Sequence, residues 1–146
     1  MRLINEIIVH CSANGPTCKF GAKEIKQVHL ARGFSDIGYH YVIKRDGTIE
    51  RGRAISHPGA HCKGHNAHSI GVCYIGGLDA GGNPVDNRTP EQKASLNKLL
   101  LNLVRMYHCK IFGHRDFANK ACPCFDAKKE YEGFYNREVL KIMKKA

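Results

Sequence analysis

Two short apolar segments, each bounded by polar or turn-forming residues, constrain the fold of this chain more than any other feature. The first, "NEIIVHCSA", predicts a buried strand over residues 5–11. The second, "SIGVCYIGG", begins at Ser69 and has the continuous apolar character of a central strand. A third short strand, "CKIFGH", ends at His114. We therefore expect a β-sheet whose central strands are buried.

Helical segments separate these strands. "GAKEIKQVHLARG" predicts a helix over residues 21–32 that ends at Gly33. A second helix begins after Thr89, because Thr89 and Gln92 form a capping box and Pro90 occupies the first helical position. Its apolar face consists of Leu96, Leu99, Leu100, Leu103, Val104 and Tyr107.

The remaining elements complete an α/β pattern. Asp46 and Gly47 predict the turn of a β-hairpin within "YHYVIKRDGTIERGR". We expect a last helix over residues 136–145, with lysines outside and with Val139, Leu140, Ile142 and Met143 buried. The alternation predicts one α/β domain over residues 1–146, with a central mixed sheet flanked by helices.

The net charge limits the classes of binding partner that we expect. The chain has 23 Lys and Arg against 13 Asp and Glu, a net charge of +10 with neutral histidines. Such a charge favours an anionic partner: nucleic acid, acidic lipid or a cell-wall polymer. The sequence contains no nucleic-acid-binding motif and no apolar run that could span a membrane, so we expect neither of those partners.

Targeting and cysteine usage point to the same compartment. "MRLINEIIVH" lacks the features of a signal peptide, which predicts cytoplasmic synthesis without classical export. Seven cysteines without a secretion signal do not predict a disulfide scaffold.

Three side chains form a candidate metal site. His10 stands at the end of the first strand and His114 at the end of the last, so the two would face each other if these strands are neighbours. Cys122 follows eight residues after His114, and the three ligands would leave a fourth zinc position for water. Because Pro123 separates Cys122 from Cys124, we expect only one thiol to bind. The alternative is that both histidines are ordinary surface or core residues.

Two further residues accompany this candidate site. Lys120 precedes Cys122 by two residues and is either a catalytic cation that stabilises an oxyanion or a solvated loop lysine. Tyr39 is either a core aromatic or a group that moves protons or polarises a carbonyl. Strand alternation predicts that Tyr39 shares a face with Tyr41 and Ile43.

Four segments in order carry a family resemblance: "VHCSA", "GYHYVIKRDGTIERGR", "SIGVCYIGG" and "HRDFANKACPCFD". Together they resemble the zinc N-acetylmuramoyl-L-alanine amidases of the phage-lysozyme type, which share their fold with peptidoglycan recognition proteins. The resemblance implies one zinc ion per chain, with its ligands at His10, His114 and Cys122 and with catalytic residues at Tyr39 and Lys120. It also implies hydrolysis of the amide between the lactyl group of N-acetylmuramic acid and L-alanine.

The resemblance also gives expectations for binding and location. His61, Asn66 and Ser69 are candidate substrate contacts, and the alternative for this region is an exposed histidine-rich loop. We expect a monomer that binds peptidoglycan and reaches the wall after cell lysis or by a holin-like route. Two other classes remain: a recognition domain without hydrolysis, and a redox or structural zinc protein that uses Cys122 and Cys124 as a pair.

Overall fold

The computed structural model describes residues 2–145, which form a five-stranded sheet with three α-helices and two short 3₁₀ turns. The strands are β1 (Glu6–Cys11), β2 (Tyr41–Ile43), β3 (Ile49–Arg51), β4 (Ser69–Tyr74) and β5 (Lys110–Gly113). The helices are α1 (Ala22–Ala31), α2 (Pro90–Tyr107) and α3 (Ala127–Lys145), and the 3₁₀ turns are Asn66–His68 and His114–Asp116.

The sheet is mixed, with the strand order β3-β2-β4-β1-β5. β1 lies between β4 and β5 and is parallel to both, and β4 is also parallel to β2. Within this sheet, β2 and β3 pair antiparallel as a hairpin. The predicted fold class, a single α/β domain with a central mixed sheet flanked by helices, is confirmed.

Helices cover both faces of the sheet, which explains the continuous apolar runs of β1 and β4. Alternate residues of β1 and β4, such as Ile7 and Val72, join one apolar cluster with α2 and the start of α3. On the other face a smaller cluster contains Ile25 of α1, Val42 of β2 and Ile75. None of the helices within residues 2–145 is long and apolar enough to cross a membrane.

The local signals for turns and caps match the structure. The Thr89 hydroxyl accepts a hydrogen bond from the Gln92 N–H at 3.0 Å, and the Gln92 side chain accepts one from the Thr89 N–H at 3.0 Å. Gly47 adopts a φ of +89° in the hairpin turn, a conformation that glycine adopts without a Cβ penalty. The predictions of the capping box and of the Asp46–Gly47 turn are therefore confirmed.

The last helix differs from its prediction. α3 begins at Ala127, nine residues before the predicted start. Leu140, Ile142 and Met143, which were predicted to be buried, are 51%, 50% and 67% exposed. The prediction was wrong because the helix packs through its earlier turns, where Tyr131 is buried in the core.

A buried arginine holds the start of α3 in place. Arg88 donates to both carboxylate oxygens of Glu130 at 2.8 and 2.9 Å and to both of Asp86 at 2.9 Å. Its guanidinium carbon lies 3.4 Å from the centroid of the Phe125 ring. Removing this side chain would leave two carboxylates without their partner, which is costly for partly buried charges.

Candidate active site

The parallel pairing of β1 and β5 brings two histidines together. Val9 pairs with Gly113 in this ladder, so His10 and His114 leave the same edge of the sheet on neighbouring strands. Their ring centroids are 4.5 Å apart. The two strands are neighbours, which is the condition under which the two histidines were expected to face each other. His10 is almost fully buried, and His114 is half-buried.

The loop after β5 returns Cys122 to the same place. Cys122 Sγ lies 3.8 Å from His10 Nδ1 and accepts a hydrogen bond from the Cys11 backbone N–H at 3.2 Å. Two bonds fix the loop: the Arg115 N–H donates to the Cys122 carbonyl at 2.8 Å, and the Tyr74 hydroxyl donates to the Pro123 carbonyl at 2.6 Å.

The resulting cluster can hold a metal ion. One nitrogen each of His10 and His114 and the Cys122 sulfur all lie within 4.8 Å of one another. Cys124 faces elsewhere: its Sγ is 3.8 Å from Cys11 Sγ and donates to the Gly77 carbonyl at 3.4 Å. The structure therefore brings together the three predicted ligands and leaves Cys124 outside the group.

A further histidine, His61, contacts the ring nitrogen of His10 that faces away from Cys122. His10 Nε2 lies 2.9 Å from His61 Nδ1, and His61 Nε2 lies 3.3 Å from Ser69 Oγ. His61 and Ser69 are both buried. Because Nε2 of His10 is engaged in this way, its Nδ1 is the nitrogen that faces Cys122.

The predicted substrate contacts thus have other partners. Ser69 is fully buried, which places its side chain out of reach of a polymer on the surface. The Asn66 side-chain oxygen accepts hydrogen bonds from the N–H groups of His61 and Cys62, both at 2.9 Å. These contacts favour a supporting role for His61, Asn66 and Ser69 over a direct contact with substrate.

The sequence of β4 indicates that a large side chain packs against it. The residues at alternate positions of β4, Ser69, Gly71 and Cys73, are small. A Cβ on Gly71 would lie 2.6 Å from ring atoms of His61, so only glycine leaves room for the imidazole. An alternation of small residues along a buried strand indicates that large side chains from elsewhere pack against it.

Burial keeps the histidines of this cluster neutral. Burial, and then the neighbouring His61, His114 and Lys120, lower the pKa of His10 well below its usual value. Burial lowers the pKa of His61 to about 3 and, together with the charge of Lys120, also lowers the pKa of His114. Neutral imidazoles are the form that binds metals.

Tyr39 reaches the cluster from a position just before β2. Its ring centroid is 5.1 Å from that of His10. Its predicted face was wrong: Tyr39 packs against the cluster around Val42, whereas Tyr41 and Ile43 pack on the opposite face. The alternation fails because Tyr39 lies outside the strand. Burial, and then the nearby Cys73 and Cys122, raise the pKa of Tyr39 well above its usual value.

Lys120 lies on the exposed side of the same cluster. Its charge contributes to the lowered pKa of both His10 and His114. The residue itself is exposed, in the loop between His114 and Cys122. The structure therefore brings together His10, His114, Cys122 and Tyr39, and Lys120 lies in the exposed loop that joins His114 to Cys122.

A family model described as N-acetylmuramoyl-L-alanine amidase matches residues 1–125, which is most of the chain. The chain belongs to the N-acetylmuramoyl-L-alanine amidase family. The match spans all five strands and ends at Phe125, just before α3. The family resemblance inferred from the four segments is confirmed.

Relatives and solved structures agree with this family. The amidase is 47% identical to an endolysin of Escherichia phage T7 over 127 residues, 86% of this chain and 84% of the relative. It is also 47% identical to an endolysin of Klebsiella phage KP32 over 129 residues, 88% of this chain and 85% of the relative. The solved N-acetylmuramoyl-L-alanine amidase LysC from Clostridium intestinale superposes with a TM-score of 0.75 at 29% identity, covering 93% of this chain and 85% of LysC.

The amidase is therefore an enzyme that cleaves an amide bond of peptidoglycan, between N-acetylmuramic acid and L-alanine. The predicted reaction class is confirmed. The alternative of a recognition domain without hydrolysis has no better support from these matches.

Proposed function

We propose that this amidase acts with one catalytic zinc ion per chain, held by His10 through Nδ1, by His114 and by Cys122. The observation that carries the proposal is the convergence of these three ligand atoms within 4.8 Å in a chain of this family. Two imidazoles and one thiolate, with a fourth position left for water, form a donor set typical of catalytic zinc. When bound, zinc would polarise the substrate carbonyl and lower the pKa of a bound water to about 7.

The donor set suits this ion. Burial holds His10 and His61 in the neutral form, so no proton competes for the nitrogen that faces Cys122. The Cys11 N–H hydrogen bond at 3.2 Å stabilises negative charge on the Cys122 sulfur. The thiolate form is the one that binds metals.

In this proposal His61 sets the tautomer of His10. The Nε2–H of His10 donates a hydrogen bond to His61 Nδ1, which leaves His10 Nδ1 free to bind the metal. The Nε2–H of His61 then donates a hydrogen bond to the Ser69 hydroxyl. Such partners of a metal ligand typically account for a 10–100-fold difference, by order of magnitude, in metal affinity or activity.

Lys120 is proposed to stabilise the negative charge that develops on the substrate carbonyl oxygen. It lies in the exposed loop that joins two of the proposed ligands, and its charge lowers the pKa of both His10 and His114. A cation fixed next to the reacting carbonyl favours the charged transition state over the neutral substrate.

Tyr39 is proposed to act as a hydrogen-bond donor. Its raised pKa keeps the hydroxyl protonated at neutral pH, so it donates a hydrogen bond and does not act as a base. Its ring lies beside His10, close to the position where substrate would meet the metal. Lys120 and Tyr39 would then polarise the same carbonyl from the open side and from the buried side of the site.

The location and the assembly of the enzyme follow from the same substrate. The net charge of +10 favours attraction to an anionic wall polymer. We propose that the enzyme acts as a monomer on the wall, after release from the cytoplasm by lysis or by a holin-like route. Its matches with phage endolysins support this place of action.

The experiment that tests the proposal pairs two measurements on the purified protein. The first is the zinc content per chain. The second is the release of new L-alanine amino ends from purified peptidoglycan, with and without a chelator. We expect zinc in the site of His10, His114 and Cys122, and release that the chelator abolishes. Release that is unchanged after complete removal of zinc would contradict the proposed cofactor.

A further inference from the structure

A second cluster of metal-ligand side chains lies at the other end of β1. Glu6 is the first residue of β1 and His10 the fifth, so a rise of about 3.3 Å per residue separates their backbones by about 13 Å. Glu6, His65 and His68 each present one ligand atom, and these atoms all lie within 4.8 Å of one another. The cluster shares no residue with the proposed catalytic site.

The three side chains converge on one point. His65 Nδ1 lies 2.9 Å and His68 Nε2 lies 3.1 Å from the same oxygen, Oε1 of Glu6. In a tetrahedral site with metal–ligand bonds of about 2.0–2.1 Å, ligand atoms lie about 3.3 Å apart. Shifts of a few tenths of an ångström would therefore convert these two contacts into two edges of a metal coordination shell.

Rigid elements hold this geometry in place. Glu6 pairs with Ser69 in the β1–β4 ladder, and the Asn5 N–H donates to the His68 carbonyl at 2.9 Å. The His65 ring stacks on Phe117, with centroids 3.8 Å apart and planes 23° apart. The ligands therefore come from a strand and an adjoining 3₁₀ turn, and one imidazole is fixed by stacking.

We propose that Glu6, His65 and His68 bind a second divalent transition-metal ion, with Zn²⁺ as the ion best suited. Two imidazole nitrogens and one carboxylate oxygen form a set that zinc accepts, with further positions filled by water. Mg²⁺ and Ca²⁺ prefer sites made only of oxygen. The imidazoles are 27% and 37% exposed, so an ion can enter from solvent.

The site would join the start of β1 to the loop that ends at β4. Binding to the folded protein alone stabilises it by mass action, so occupancy should raise the unfolding temperature. The ion lies away from His10, His114 and Cys122, so we expect no role in the amidase reaction.

The test counts bound ions in matched variants. We expect wild type to bind two Zn²⁺ in a titration, with the weaker event lost in His68→Ala. Glu6→Gln, which keeps the shape of the side chain, should weaken that event by at least about tenfold. His57→Ala removes an exposed histidine outside the cluster and should leave both events unchanged.

A titration with Co²⁺ identifies the two sites. Only the ion bound by Cys122 has a sulfur ligand, so only one of two Co²⁺ equivalents should give thiolate-to-cobalt charge-transfer absorption. Cys122→Ser should remove that absorption and keep one bound ion. The proposal is overturned if wild type and both cluster variants, all folded by circular dichroism, bind the same number of ions with the same affinities.

Discussion

β1 carries a metal-capable group at each end, and the two groups differ in their surroundings more than in their ligands. Both contain two imidazoles and one further side chain, a thiol in one group and a carboxyl in the other. At the C-terminal end of β1, His10 is enclosed by His61, Tyr39 and His114, and Lys120 adds a positive charge. At the N-terminal end, His65 and His68 remain partly open to solvent around a carboxylate.

The difference in surroundings indicates which group we expect to take part in catalysis and which we expect only to bind an ion. In the proposed function, Lys120 and the protonated Tyr39 provide charge and a hydrogen bond for a reacting carbonyl at the C-terminal group. Around Glu6, the lysine and the tyrosine that line the same cavity contact each other: Lys110 Nζ lies 5.4 Å from the centroid of the Tyr135 ring. We therefore expect a reaction at the C-terminal end of β1 and ion binding at the end that carries Glu6.

The largest expected effect comes from removing one anionic ligand at each end in turn. Cys122→Ser should abolish the release of L-alanine amino ends and lower the zinc content by one ion. Glu6→Gln should retain full amidase activity. The comparison fails if Cys122→Ser keeps both zinc and activity, or if Glu6→Gln is inactive while folded.

The next effect separates charge stabilisation from metal binding. Lys120→Ala should lower kcat by about 10²–10³-fold, because the substrate carbonyl loses a stabilising cation. Its zinc content should not change. Lys98→Ala, an exposed lysine on α2, is the matched control and should behave as wild type. A rate loss in Lys120→Ala that matched a loss of zinc would assign the lysine a structural role.

A smaller effect is expected from the support behind His10. His61→Leu should weaken zinc binding at the catalytic site by about 10–100-fold, and excess zinc should recover activity. His61→Asn can place an amide oxygen near the position of Nδ1 and should restore part of the affinity. Affinity that is equal in wild type and His61→Leu would show that the hydrogen bond to His10 does not matter.

The smallest effect should come from the neighbouring thiol. Cys124→Ser should leave zinc content and activity unchanged and change the free energy of unfolding by less than about 1 kcal/mol. The reason is that Cys124 contacts Cys11 and the Gly77 carbonyl and lies outside the ligand group. A full equivalent of zinc lost in this variant would show that Cys124 is a ligand.

Local patterns predicted the strands, two helices and the edge where the site lies. The apolar runs, the capping box at Thr89 and the Asp46–Gly47 turn depend on neighbours in sequence, and the structure confirms them. The placement of His10 and His114 at strand ends needed only the rule that parallel strands share an edge.

Contacts between distant segments were harder to predict. His61 is 51 residues from His10, and their hydrogen bond depends on how a loop packs over β4. The start of α3 depends on Arg88 and Glu130, which are 42 residues apart. Glu6 and His65 are 59 positions apart, so no local pattern in the sequence indicates that the histidine-rich loop forms a second cluster with Glu6.

The attachment of α3 has a consequence for protein engineering. Its core contacts are concentrated in the first half, up to Phe134 and Tyr135, whereas Leu140, Ile142 and Met143 are largely exposed. The ten residues after Tyr135 extend the helix by about 15 Å at about 1.5 Å per residue. A reporter or a wall-targeting module joined to the end of α3 would therefore be separated by this helical spacer from the strand ends that carry the proposed catalytic site.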